Sequence, residues 1–402
     1  MRKLLMKAGA PLLAGGLAVA GFSSVASASA TTHVKKPSYT IAYEGPLTGG
    51  NQQLGLNMIY SVELAISQFN HKAGNAFTLK FQALNDQGDE TIAPNEARIA
   101  VSNPHVVGVV GPAFSGATKA AQAVYGPANM PLVSPSATNT LLTTPAENPH
   151  HNFFRVVADD AVQGPADAIY VVTKLKLKSI YIVNDASDYG SGLAGQFAHE
   201  AKHLGAKVTT NTADGTTGCM AGTGSDTEYA PLATEIFNSH DKVVFYGGYY
   251  CDFSLLTAAL KTAGYTGKLM SGDGSDDPHY ISGTSPEKDA NGTYLTCPCK
   301  QLVNTPADRA FSAGFKKLSH NTPPGTYSPE SYDAANTIIA AMVAIVKAHH
   351  AVTRLNIVKE LRVITHVGLT KTIHFLANGN VASSLIYVNQ VRALKIVQLG
   401  LT

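Results

Sequence analysis

Five short polar segments could do chemistry, and each follows an apolar run. Gly111-Pro112-Ala113-Phe114-Ser115-Gly116-Ala117-Thr118 comes directly after Val106 to Val110 and opens a helical pattern. Free N–H groups at a helix start attract a carboxylate, and the Ser115 hydroxyl can donate as well. The same serine would also serve as a plain N-cap. Ser134-Pro135-Ser136-Ala137-Thr138-Asn139 repeats that logic after Pro131 to Val133, and Asp185 to Gly192, with Tyr189-Gly190, follows Ser179 to Asn184. Tyr246-Gly247-Gly248-Tyr249-Tyr250 offers rings that wall a pocket or cap a core. Ser271-Gly272-Asp273-Gly274 holds one carboxylate between two glycines, where a turn-forming Asp is the alternative.

None of these segments is a nucleophile paired with a base. The sequence has no GxSxG elbow and no Walker A. The doublets His150-His151 and His349-His350 lack the i, i+4 face that a metal needs. Asp273, Asp276 and Asp277 lack the alternating carboxylates, glycine and distal glutamate of a calcium loop. Asn291-Gly292-Thr293 is a glycosylation sequon only in a glycosylating host. No catalytic residue, metal or cofactor is expected.

Such strand-end residues need a scaffold. With 402 residues, 45% apolar and 14% charged, the chain has material for about two or three domains with real cores. That composition excludes a disulfide mini-protein, a disordered tail and a coiled coil. Thirty Lys and Arg against 28 Asp and Glu give no basic excess to recruit nucleic acid.

Residues 1–30 are expected to be a signal peptide. Arg2, Lys3 and Lys7 precede the apolar stretch Pro11 to Phe22, and Ala26-Ser27-Ala28 or Ala28-Ser29-Ala30 offers the cleavage site. The stretch falls short of the ~20 residues of a membrane span. No cysteine adjoins the cleavage site, so no lipid anchor is expected, and the mature chain is placed in a periplasmic, secreted or cell-surface space. Losing three cations and no anions turns the formal +2 into −1.

Export puts Cys219, Cys251, Cys297 and Cys299 in an oxidising compartment, where disulfides persist. Zinc is disfavoured because no Cx₂C pair is present. Cys219–Cys251 with Cys297–Cys299 is the favoured connectivity, and a Cys219–Cys299 bridge would contradict it. The larger bridge would close a loop of about 33 residues, worth ~3–4 kcal/mol in the chain-entropy model.

The rest reads as alternating strands and helices. Apolar strands such as Val106 to Val110 and Lys242 to Tyr246 alternate with amphipathic helices such as Leu56 to Phe69, Thr118 to Tyr125, Gly192 to Leu204 and Ser254 to Ala263. Two such series imply an α/β protein of two doubly wound lobes with parallel sheets. The tail adds helices Tyr332 to Ala348 and Val352 to Val363, then Lys371 to Leu376 and Val381 to Tyr387 flanking Asn378-Gly379, a hairpin signal. Open α/β sheets bind ligands at strand C-termini, where the five polar segments lie.

From Tyr39 to about Leu394 the sequence resembles the leucine/isoleucine/valine-binding proteins of bacterial ABC importers. The resemblance is carried by Gly45-Pro46-Leu47-Thr48-Gly49, the segment Ser134 to Asn139, Gln163-Gly164-Pro165, Tyr189-Gly190-Ser191-Gly192-Leu193-Ala194 and Tyr246 to Tyr250. It implies the type I periplasmic binding protein fold, a Venus-flytrap of two Rossmann-like lobes joined by a three-strand hinge. The expected bounds are 38–159 with 299–376 for lobe 1, and 160–298 with 377–402 for lobe 2.

The resemblance also implies site roles. Ser115 and Thr138 would hold a ligand α-carboxylate, with backbone groups of Ser136 and Ala137 helping. Tyr189 and Tyr249 would face the ligand from lobe 2, and Asp273 would pair with its α-ammonium where leucine binders carry Glu. One carboxylate for one ammonium, opposite helix-end N–H groups, specifies a zwitterion. Leu54 and Phe114 would line the side-chain pocket in place of an aromatic residue and a Cys. A Cys219–Cys251 bridge would staple the loop Asp214 to Glu228 near the cleft. The expected protein is therefore a non-enzymatic monomer that binds a small amino acid and partners an ABC permease. The alternatives are a sensing subunit docking a receptor or kinase, or a binder of amides, urea or aromatic acids.

Overall fold

The structure, a computed structural model, describes residues 36–212, 219, 224–382 and 385–402. The expected leader lies outside the described residues, as does most of the loop from 214 to 228.

The first series runs β1 (Ser38–Gly45), α1 (Gln52–His71), β2 (Thr78–Asn85), α2 (Ala93–Ser102), β3 (Val106–Val110), α3 (Ser115–Tyr125), β4 (Leu132–Ser134) and β5 (Phe153–Arg155). Its strands form a parallel five-stranded sheet ordered β2-β1-β3-β4-β5. Every residue of β3 is buried, as an all-apolar strand covered by helices on both faces must be. Helix α1 buries Leu54, Met58, Val62, Ala65, Ile66 and Phe69, a stripe at helical spacing.

The second series runs α4 (Asp160–Ile169), β6 (Ser179–Asn184), α5 (Asp188–His203), β7 (Lys207–Thr212), α6 (Ala230–Ser239), β8 (Val243–Gly247), α7 (Tyr250–Thr262), β9 (Lys268–Ser271), α8 (Pro278–Gly283) and β10 (Tyr294–Cys297). Its parallel strands lie in the order β7-β6-β8-β9-β10, which repeats the first sheet's winding. The chain ends with α9 (Pro306–Leu318), α10 (Ser328–Lys347), α11 (Arg354–Leu361), β11 (Thr365–Val367), β12 (Thr372–His374), β13 (Tyr387–Arg392) and β14 (Lys395–Leu401). Strands β13 and β14 extend the second sheet antiparallel, while α10 packs on α1, β3 and β4 of the first. The chain thus passes between the two sheets after Arg155, after Cys297 and between His374 and Tyr387. Among the described residues no helix is long and apolar enough to cross a membrane.

Two local expectations differ from the structure. Asn378-Gly379 does turn the chain, with Gly379 at φ 96°, but among the described residues a single bridge, Phe375 to Val381, closes it. Strand β12 pairs with β11 instead, and the next strand starts at Tyr387. Apolar periodicity does not predict helix α9, although Thr305 and Asp308 form a capping box there. Its Phe311 and Phe315 bury against Leu64 of α1 in a small cluster apart from the main core.

The structure pairs Cys219 with Cys251 and Cys297 with Cys299, at Cα separations of 5.8 and 5.0 Å. A non-reduced proteolytic digest should yield these two linked peptides by mass spectrometry. A Cys219–Cys299 peptide would contradict the arrangement.

Candidate functional site

In each sheet the winding reverses between the first and third strands of the series, β1/β3 and β6/β8. Helices leave on opposite sides there and open a crevice at the strand C-termini. The two crevices face one another and share a small cavity. Lobe 1 supplies Leu54 and Met58 of α1, Ala113, Phe114 and Ser115 of the β3–α3 turn, Ser136 after β4, and Tyr327 before α10. Lobe 2 supplies Tyr189, Tyr249, Asp273 and Gly274.

Asp273 sits on the turn after β9 and is only 3% exposed. Tyr189 donates to its Oδ1 at 3.0 Å, and Tyr327 donates to its Oδ2. The Tyr189 oxygen itself accepts the Gly274 N–H at 2.9 Å, which fixes the ring against the turn. Burial pushes the Asp273 carboxyl up to about 6, and the two phenol hydroxyls hold it from rising further. Packing requires Gly274: a Cβ there would lie 2.6 Å from Tyr189 Cε1 and 2.9 Å from the Gly248 carbonyl oxygen. Asp160 is a second buried carboxyl, pushed well up by burial and then by the nearby Asp273 charge.

Across the cavity, α3 starts at Ser115 with no side-chain cap, so its first N–H groups are not answered by a neighbouring side chain. The Ser115 oxygen accepts the Asn139 N–H at 3.3 Å, which leaves its O–H to donate. Ser136 donates to the Ala113 carbonyl at 2.7 Å and ties the two strand-end turns together. Phe114 stacks on Tyr249 with centroids 4.1 Å apart, and Tyr249 leans on Tyr189 at 5.0 Å. Beyond that stack lies an open outer groove rimmed by Asp89, Glu90, Lys119, Asp188 and Asp252.

The structure brings Leu54, Phe114, Ser115, Ser136, Tyr189, Tyr249 and Asp273 to one cavity. It does not bring Ala137 or Thr138 to the wall. The fully buried Arg155 guanidinium accounts for this, because it takes the carbonyls of Ala137 at 3.0 Å and Asn139 at 2.8 Å and pulls that loop backward. The Ala137 N–H is spent on Ser134 Oγ at 3.0 Å, and the Thr138 hydroxyl is buried near Asp160. Tyr327 was missed. It is a bulky residue held at φ 66°, a conformation costly enough that the surrounding structure must enforce it. The sequence signal was Gly325-Thr326-Tyr327-Ser328-Pro329, a loop ending in proline at a helix start.

A periplasmic binding protein profile matches residues 38–395. The chain belongs to that family. Its members are solute-binding proteins rather than enzymes. The leucine-, isoleucine-, valine-, threonine- and alanine-binding protein of Pseudomonas aeruginosa is 28% identical over 329 residues, 81% of this chain and 82% of that one. The fold is shared with a leucine-binding protein from Thermotoga maritima (TM-score 0.79, 22% identity, 90% of this chain and 98% of that one). It is also shared with a solute-binding protein from Rhodopseudomonas palustris in complex with benzoate (TM-score 0.75, 16% identity, 90% and 96%).

Burial pushes up several carboxyls of this chain. Asp185 and Asp273 stand at about 6, Asp86, Asp276 and Glu330 at about 7, and Asp252 at about 8. Each folded value lies above the unfolded 3.8 or 4.5, so the folded chain holds protons that the unfolded chain releases. Their stabilising effect is complete below the unfolded values and is lost as pH rises through about 6 to 8. Ligand-free protein should therefore melt at a higher temperature at pH 5 than at pH 8 in scanning calorimetry. The reverse order would contradict these assignments.

Proposed function

We propose that this protein is exported, binds a small amino acid of branched-chain type or a related zwitterion between its lobes, and delivers it to the permease of an ABC importer. The observation that carries this is the placement of Asp273, the one carboxylate lining the cavity among the described residues, opposite Ser115 and the uncapped start of α3. An ammonium satisfies a buried carboxylate, and helix-end N–H groups satisfy a carboxylate. Leu54, Met58, Ala113 and Phe114 leave an apolar wall for an aliphatic side chain. The Pseudomonas relative, named for binding leucine, isoleucine, valine, threonine and alanine, supports the same class.

A second reading, an aromatic acid, is favoured by the rings of Phe114, Tyr189, Tyr249 and Tyr327 and by the benzoate-bound neighbour. An acid without an ammonium would leave Asp273 buried and unpaired, which disfavours that reading.

A thermal-shift panel of aliphatic amino acids, their N-acetyl derivatives and benzoate separates the two. A free amino acid should raise the melting temperature and its N-acetyl form should not. Asp273→Asn should weaken the amino acid by at least about thirtyfold, the loss typical when one partner of a buried charge pair is removed. Since Asp273 must be ionised to pair, affinity should fall as pH drops below about 6. A response to benzoate alone would overturn the proposal.

A further inference from the structure

We infer that helices α1 and α7 cap each other across the cleft, making Asn51 and Tyr250 the positioning residues that hold the closed protein around its ligand. The inference rests on the solute-binding reading above but uses neither of the groups that would touch the ligand.

Both helices begin without a side-chain cap of their own: Asn51 before α1 and Tyr249 before α7 each fail to bond their own first turn. Each helix start carries N–H groups that helical bonding leaves unanswered. The answers come from the opposite lobe. Asn51 Oδ1, at the entry to α1, accepts the Cys251 N–H in the first turn of α7 at 3.3 Å. Tyr250 Oη, in the first turn of α7, accepts the Gln53 N–H in the first turn of α1 at 3.3 Å. Helix α1 follows β1 of the first sheet, and α7 follows β8 of the second. The two bonds are therefore reciprocal and exist only when the lobes meet.

The backbone at this seam is shaped for contact. A Cβ on Gly50 would lie 1.7 Å from the Cys219 carbonyl oxygen and 3.2 Å from Cys251 Sγ, so only glycine lets the disulfide-bonded side of lobe 2 approach. Beside it the Phe114–Tyr249 stack pairs a ring from each lobe. Neither Asn51 nor Tyr250 lines the ligand cavity. Opening the cleft would expose both uncapped helix starts to water, so the caps favour closure without adding a ligand contact.

The test compares the full chain with Asn51→Ala, Tyr250→Phe, the double variant, Asn51→Asp and Gly50→Val, using L-leucine as the probe in stopped-flow and calorimetric titrations. Each cap deletion should speed leucine dissociation by about fivefold to tenfold, the usual worth of a helix cap, with association little changed. Asn51→Asp should behave like the parent, because a carboxylate accepts the same N–H and suits a helix start. Small-angle scattering of ligand-free protein should show a larger radius of gyration for the double variant and for Gly50→Val. Unchanged dissociation rates in variants that bind leucine would overturn the inference. If the parent binds no amino acid, the solute reading fails separately and scattering decides: equal radii for the parent and double variant overturn the caps.

Discussion

A single carboxylate buried where two lobes meet is the constraint on which the rest depends. Asp273 is almost wholly removed from water, and a charge there is expensive unless something pays in attraction or hydrogen bonds. Two phenol hydroxyls, one from each lobe, supply part of that compensation: Tyr189 follows β6, and Tyr327 precedes α10 on the far side of the cleft. The flanking glycine at 274 exists so that Tyr189 and Tyr249 can crowd the turn. What the phenols do not provide is a positive charge, and among the described residues no Lys or Arg lines the cavity.

The fold meets this constraint by repetition. Each lobe winds its parallel strands in the same order and opens its crevice at the same topological point, so two sets of strand ends converge. One set presents the acid, the other the uncapped helix start and Ser115. The lobes are then held by contacts of modest individual worth: the reciprocal caps, the Phe114–Tyr249 stack, the Asn57–Asp277 hydrogen bond at 2.9 Å and the half-exposed Lys119–Asp188 ion pair. An exposed pair of that kind contributes little. A seam built from many weak contacts can open, whereas one built on a large apolar interface would stay shut.

The fold was legible because apolar periodicity reports packing. The strands Val106–Val110 and Lys268–Ser271 read from the sequence with the bounds the structure gives. Helix starts were not: α3, α5, α7 and α10 each begin about one turn before their apolar stripe does, at Ser115, Asp188, Tyr250 and Ser328. Those first turns face the cleft, so they carry polar and aromatic residues in place of the periodic signal. The site was legible where residue type alone mattered, as for Asp273, Ser115 and the tyrosines of lobe 2. It failed where distant residues decide orientation. Arg155, from the next strand, takes the Ala137 and Asn139 carbonyls, and Tyr327, more than two hundred positions beyond the β3–α3 turn it faces, enters through a left-handed residue ahead of a helix-start proline.

The most direct test is a crystal structure of the protein with the solute that co-purifies with it. The account predicts a closed cleft with an ammonium nitrogen on the Asp273 carboxylate and a carboxylate on Ser115 and the first N–H groups of α3. A solute lodged in the outer groove, or one whose carboxylate or neutral face meets Asp273, would contradict it.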